Sequence, residues 1–404
     1  MKTNITLEEA QNILLDHCPR AEIEEVELNN TLGRVLATDI KAHENVPPFA
    51  RSPYDGYALR SADTAEVDRD NPVALEIIEE VPAGHTAKKA VCARQAIKIL
   101  TGAPIPEGAD AVTKFEETTS EGNKVFLYRK YKPLENIVPA GEDIALGDLV
   151  ASSGAVITPP LMGLMAALGL TKIPVYKRPK VAIISTGDEL REVSESLAPG
   201  KIRNSNSYAL RGYIRSLGAE PVVIGICKDR TEEVAALIDE GLKSADLVLT
   251  TGGVSVGDYD VLRLAVNHLQ AKTLYWKIDI KPGSPNLTAV KNDQLIIGLS
   301  GNPAAAMVTF QLLVVPFLKK MMGRKDYFHR QTEVILKQDF PKASPRRRFI
   351  RGKILLENGS VFMEVLKEQG NGVLRSMERC DALAEIPAKS GPLKAGQKLR
   401  AILI

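Results

Sequence analysis

From Lys180 to Met321 the chain alternates β-branched runs with amphipathic stretches of helical period, and this limits the available folds more than any other feature. The order is strand KVAIIS, helix SNSYALRGYIRSLG, strand PVVIGIC, helix TEEVAALIDEGLKSA, strand DLVLT and helix YDVLRLAVNHLQ. Strands TLYWKIDI and QLIIGLS follow, then a last helix over about Pro303 to Met321. Strands that alternate with helices of about 10 to 15 residues specify a mostly parallel sheet covered on both faces. Outside this unit the pattern changes. From Leu75 to Tyr128 short strands are broken by glycine and proline, which reads as a small β-rich domain. From Thr332 the chain returns to short strands, with turns at Gly352, Gly359, Gly370, Gly391 and Gly396, so a compact β-domain ends it.

The N-terminal part is less regular. Residues 6 to 17 read as a helix capped by Thr6, with Glu9 at the capping-box position. Leu28 to Ala42 is strand-like, Pro47-Pro48 marks a boundary, and a helix from about Pro160 to Leu168 ends at Gly169. Whether that helix packs back on the N-terminal segment stays open. A chain of 404 residues is too long for one ordinary core, so about two to four domains are expected.

Composition excludes several classes. Apolar residues make up 44% and charged residues 25%, which is globular composition without general disorder. A formal net charge of +2 argues against a dedicated nucleic-acid binder. Cys18, Cys92, Cys227 and Cys380 lack metal-ligand or disulfide-framework spacing. The N-terminus has no apolar signal core, and no run is expected to reach the ~18 apolar residues that span a bilayer. A cytoplasmic protein that engages neither membrane nor nucleic acid is the expectation.

The chemistry concentrates at strand ends. LVLTTGGVSVGDYD, Leu247 to Asp260, ends a strand in Thr251-Gly252-Gly253 and continues through Ser255 to Asp258 and Asp260. Glycine turns between a strand and a helix present backbone N–H groups to anions. Carboxylates just beyond would repel a phosphate, so they imply a bridging cation. An ordinary turn capped by Asp258 is the competing reading. STGDEL contributes Thr186, Gly187 and Glu189, and CKDR contributes Asp229. In a parallel sheet, Glu189, Asp229 and Asp260 would converge on one crevice, although each could simply cap a helix. In WKIDIKPG, strand periodicity sends Lys277, Asp279 and Lys281 to one side and Trp276, Ile278 and Ile280 to the other. The turn Gly301-Asn302-Pro303 opens the last helix and leaves its N–H groups free for an oxyanion. Asp55 and Thr101 lie in Gly/Pro-rich loops suited to presenting polar groups to another domain. No Ser/His/Asp or Cys/His arrangement stands out, so metal-assisted handling of a phosphorylated ligand is favoured over covalent hydrolysis.

In order, PPFARSPYDGYALRSADT, TGAPIPEGADAV, GEDI, VAIISTGDEL, TTGGVSVGDYD, WKIDIKPGSP and SGNPAAAMVTF resemble the molybdopterin molybdenumtransferases, the MoeA-type family related to the C-terminal domain of gephyrin. The resemblance runs almost end to end. It implies a discontinuous domain from residues 1–46 and 142–177, a β-rich insert over 47–141, an α/β molybdopterin-binding domain over 178–326 and a C-terminal β-barrel over 327–404. It also implies a homodimer whose active site is shared, with one subunit's insert facing the other's α/β cleft. Transient contact with a molybdopterin adenylyltransferase or a molybdoenzyme would fit that role. The implied reaction joins molybdate, or tungstate, to adenylylated molybdopterin and releases AMP with Mg²⁺. The family's functional positions fall on Asp55, Thr101, Asp143, Glu189, Asp229, Asp260, Lys277, Lys281, Pro303 and Arg351, with Glu189, Asp229 and Asp260 as metal ligands. Related readings are a tungstate-preferring homologue, a non-catalytic molybdopterin scaffold and a molybdopterin adenylyltransferase. Departures from the pattern are Ser300 where the family has proline, the run Pro285 to Ala289, and Val138-Pro139-Ala140 before GEDI, where an arginine is common.

Overall fold

The computed structural model describes residues 2–254 and 260–404. Its centre is a seven-stranded sheet in the order Lys2–Ile5, Lys272–Ile278, Leu287–Lys291, Gln294–Leu299, Leu247–Thr251, Lys180–Thr186, Glu220–Cys227. Neighbours run parallel except around Leu287–Lys291, which is antiparallel to both of its partners. Period-2 alternation divides each inner strand between two cores. Val181, Ile183, Leu247, Leu249, Leu295 and Ile297 pack under Leu210, Ile214 and the apolar helix Pro303–Met321. Ala182, Ile184, Val248 and Ile296 face the other way, against Val234, Ile238, Leu262 and Val266. Helices therefore cover both faces, as the alternation requires.

Two details depart from the sequence reading. Leu287–Lys291 is a strand, returned on itself by Asn292 and Asp293, whose φ values of 49° and 64° make a tight two-residue turn. The N-terminus also belongs to this layer, whereas residues 1–46 were expected to join 142–177. Lys2–Ile5 pairs in parallel with Lys272–Ile278 and covers an otherwise open sheet edge. The helix Leu7–Asp16 carries the expected capping box and buries Leu7, Ala10 and Leu14 in the same core as Phe317 and Leu318.

The discontinuous body starts further on. Ile23–Glu27 pairs with Lys172–Tyr176, and Ile40–Lys41 with Leu149–Ala151. Met165 and Leu168 share a core with Leu36, Ile40, Ile144 and Val175, so the helix Pro159–Ala167 does return to the N-terminal segment. Between these halves lies a six-stranded sheet: Ala111–Lys114, Gly56–Leu59, Gln95–Ile99, Val73–Val81, Lys124–Leu127, Thr118–Glu121.

At the C-terminus, Arg347–Glu357 pairs with both Ser360–Val365 and Ala382–Ile386, and Gln331–Leu336 and Lys398–Leu403 complete a closed five-stranded barrel. The short strand Ile280–Lys281 leaves the α/β unit and pairs with the start of Arg347–Glu357. This seam fastens the barrel to the rim of the sheet.

Among the described residues one helix, Pro303–Met321, is long and apolar enough to cross a bilayer, contrary to expectation. It is 89% buried in the fold, the position of a core helix.

Candidate functional site

Three strand ends meet beside one turn. Gly252 and Gly253 follow the strand Leu247–Thr251 with φ values of 87° and 65°, a region L side chains rarely adopt. A Cβ on Gly252 would lie 2.2 Å from the Thr186 carbonyl oxygen, so glycine is also required by close approach. Thr186 closes the contact by donating its hydroxyl to the Thr251 carbonyl at 3.4 Å, and the Gly187 N–H donates to the Cys227 carbonyl at 3.1 Å. A Cβ on Gly301 would lie 3.4 Å from the Gly252 Cα, which puts the Gly301-Asn302-Pro303 turn directly against this cradle. At Ser300 the hydroxyl accepts from the Asn302 N–H at 3.2 Å and ties the turn by a side-chain bond. Thr186, Glu189, Asn204, Asn206, Thr251, Gly301 and Pro303 line a recess of about 50 Å³.

The rim of that recess is acidic. Asp188, Glu189 and Asp229 are exposed at neighbouring strand ends. The Asp229 carboxyl is raised above its usual range, first by lost hydration and then by the negative charges of Glu189 and Asp188. Like charges held together in this way favour a cation. Among the described residues no group of three acidic, His or Cys side chains forms a ready metal cage.

Asp260 does not belong to this rim. It is fully buried, and its two oxygens accept from the Arg263 N–H at 3.1 Å and the Trp276 indole N–H at 3.2 Å. Burial raises its pKa, and its place is the N-cap of the helix Val261–His268. The structure corrects the expected metal-ligand geometry to that of a helix cap. Ser255 and Asp258 lie outside the described residues.

A groove that meets the start of the Pro303–Met321 helix through Asn371 carries positive charge instead. Lys281, Pro282, Lys342, Arg348, Gln369, Gly370 and Asn371 line this groove of about 240 Å³. Arg348 is 8% exposed, and its Nε has no protein partner. Arg351 was expected in the site. It is instead fully buried and donates to the carbonyls of Glu368 at 3.4 Å and Gly370 at 3.1 Å. It holds the loop that Arg348 faces. The expected free helix N–H groups are also fewer: Pro303 has none, and Ala305 donates to the Asn371 carbonyl at 3.2 Å.

Lys277 escapes simple strand periodicity. Its φ of 67° breaks the alternation, so Trp276 packs on the opposite face from Ile278 and Ile280. Its ammonium sits 3.8 Å from the centre of the Trp276 ring. Asp279 pairs with Arg346 at 3.5 Å.

Asp55 and Thr101 are brought together in the insert. The Thr101 N–H and hydroxyl both donate to Asp55 Oδ1, at 2.7 and 2.8 Å, and these bonds hold the exposed carboxyl below its usual range. Gly56 follows directly, and a Cβ there would strike the Thr113 carbonyl oxygen at 1.7 Å. Among the described residues neither Asp55 nor Thr101 bonds to the crevice of the same chain. Asp143 is exposed beside the Val46 strand contact, apart from both groups.

Comparison with known proteins places this architecture. A profile described as "MoeA N-terminal region (domain I and II)" matches residues 5–169, "Probable molybdopterin binding domain" matches 182–320, and "MoeA C-terminal region (domain IV)" matches 333–404. The molybdopterin molybdenumtransferase of Bacillus subtilis is 38% identical over 407 residues, covering 100% of this chain and 95% of that protein. The chain belongs to the MoeA family. A Staphylococcus epidermidis member is 36% identical over 403 residues, covering 100% of this chain and 96% of that protein. Among solved structures, a MoeA protein from Pyrococcus horikoshii superposes with a TM-score of 0.87 at 32% identity, each chain covered to 99%. A second structure from that organism gives 0.84 at 35% identity, covering 99% of this chain and 100% of the other. Asn204, Asn206, Lys342 and Arg348 were missed in the sequence. The doubled cap residues in NSNS and the basic run in SPRRRF were the available signals.

Proposed function

We propose that the chain joins molybdate to adenylylated molybdopterin with release of AMP, forming molybdenum cofactor in the cytoplasm. One observation carries the reading: an acceptor-lined recess with an acidic rim and a cationic groove both meet the start of the Pro303–Met321 helix, the recess at Gly301 and Pro303 and the groove at Asn371, whose carbonyl accepts from the Ala305 N–H. The substrate needs both. Its phosphates require charge neutralisation, and the incoming oxyanion requires cations. Lysine, a compact point charge, suits a tetrahedral anion without a planar carboxylate fork. Lys281, Lys342 and Arg348 hold the oxyanion, while Gly252 and Gly253 let the ligand approach the backbone closely.

Glu189 and Asp229 fit Mg²⁺, which is commonly bound by one or two carboxylates plus substrate phosphates, so the lack of a ready protein cage is no obstacle. When bound, the ion would offset phosphate charge as AMP leaves. Asp260 acts one step back by fixing the start of its helix. Asp55 and Thr101 close the site from the insert of a second subunit, as the separation of insert and crevice within one chain suggests. Mixing Asp55→Ala with Lys281→Ala chains should then restore turnover once subunit exchange is verified, and verified heterodimers that stay inactive would remove the shared site.

The deciding assay supplies purified protein with adenylylated molybdopterin, Mg²⁺ and molybdate or tungstate. Oxyanion-stimulated AMP release with cofactor formed is expected. Ligand binding without AMP release would make the chain a molybdopterin scaffold. AMP transfer from ATP to free molybdopterin would make it an adenylyltransferase.

A further inference from the structure

Asn206 is 7% exposed at the start of the helix Ser205–Ser216, and it lines the recess. Its Nδ2 donates to the Gly301 carbonyl at 2.9 Å. Because only the amide nitrogen can serve that carbonyl, the orientation of the side chain is settled. The other end is therefore Oδ1, a buried acceptor without a protein partner. The neighbouring Asn204 is different. Its Oδ1 accepts from the Ser185 hydroxyl at 3.0 Å and caps the helix through the Ser207 N–H at 3.4 Å, so it serves the fold.

A buried acceptor left empty is costly, and native proteins rarely keep one without a ligand or an ordered water. The recess is about 50 Å³, room for an amine-sized group but not for a whole ring system. Glu189 also lines it but is exposed, and among the buried side-chain oxygens of the described lining residues Asn206 Oδ1 is the one without a partner. We infer that Asn206 Oδ1 accepts a hydrogen bond from the exocyclic amine of a fused heteroaromatic ring, and so determines which ring the cleft admits. An oxo group in place of the amine would meet Oδ1 lone pair to lone pair. The amide cannot turn to greet it without breaking the bond to Gly301. The inference rests on the proposed function for its ligands, since adenylylated molybdopterin carries two such amines, one on the pterin and one on the adenine.

Calorimetric titration with two matched pairs tests it and separates the two sources. Pterin is compared with lumazine, the same bicycle with oxygen in place of the 2-amine, and AMP is compared with IMP, which replaces the 6-amine in the same way. The wild-type protein should prefer the amine member of one pair by roughly ten- to a hundred-fold, the scale of one buried hydrogen bond. The pair that shows the preference identifies the ring. Asn206→Ala should bring that ratio to about one. Asn206→Asp keeps an acceptor but cannot donate to Gly301, so it should retain much of the ratio even though overall binding weakens. A residue that merely held the Gly301 turn, or a recess that merely held water, would give equal losses for both members of each pair and an unchanged ratio. That result overturns the inference. Failure of AMP release in the turnover assay, with an Asn206-dependent ratio intact, would instead overturn the reaction and leave the recognition standing. Binding of none of the four probes would remove both.

Discussion

The recess and the groove that meet the start of the Pro303–Met321 helix are built from opposite chemistry. On the α/β side, Glu189 and the Asn206 side chain line a narrow recess, and Asp188 and Asp229 add negative charge beside Glu189. On the barrel side, Lys281, Lys342 and Arg348 present cations around a wider groove. The acidic side comes from the loops of one sheet, whereas the basic side exists because Ile280–Lys281 crosses over to pair with the barrel. The difference teaches that opposite charges can stay unneutralised within one site when separate elements hold them apart. Such separation suits a reaction that needs a cation and an oxyanion at the same ligand.

Lys281→Ala breaks the comparison most severely. It should lower oxyanion-stimulated AMP release on the order of 10²–10³, the usual loss for one group that stabilises developing charge. Its exposed position predicts an unchanged melting temperature. Gly252→Ala strikes the shared floor. The positive φ and the 2.2 Å approach to Thr186 predict a loss of about 1–3 kcal/mol in denaturant melts, together with weaker ligand binding.

Asp260 sharpens the contrast with Asp229, since lost hydration raises both carboxyls, fully at buried Asp260 and in part at exposed Asp229, but only Asp229 also faces like charges. As a helix cap, Asp260→Ala should cost about 0.5–2 kcal/mol of stability, while Asp260→Asn should retain most of it. Equal stability of Asp260→Ala and wild type would return Asp260 to the list of open metal ligands.

The smallest effect concerns Asp229. Its folded pKa is raised, so the protonated form is favoured below the unfolded value, and stability falls as pH rises through the folded value. Metal-free Asp229→Asn should therefore melt slightly higher than wild type at neutral pH. The gain should vanish in acid below the carboxylate range, where wild-type Asp229 is already protonated. Thermal scans at both pH values check the sign.

Much of this arrangement was legible in the sequence. Period-2 alternation in KVAII and LVLTT identified two inner strands, and the TTGG and SGNP turns marked the cradle. The failures have local causes. Periodicity presumes uniform backbone, and the left-handed Lys277 reverses the facing of Trp276. Lys2–Ile5 is a sheet strand only because a distant edge needs a partner. The lone acceptor of Asn206 depends on Gly301, 95 positions away. Asp260 carries the same side chain whether it caps or binds metal, and only its contacts with Arg263 and Trp276 decide between the two.

The most direct test of the divided site is a pair of titrations, Mg²⁺ and molybdate, on Asp229→Asn and Lys281→Ala proteins. The division predicts that Asp229→Asn loses Mg²⁺ affinity and keeps molybdate, while Lys281→Ala does the reverse. If each variant loses both ligands to the same extent, or if Asp229→Asn weakens molybdate while sparing Mg²⁺, the two sides do not divide the charge.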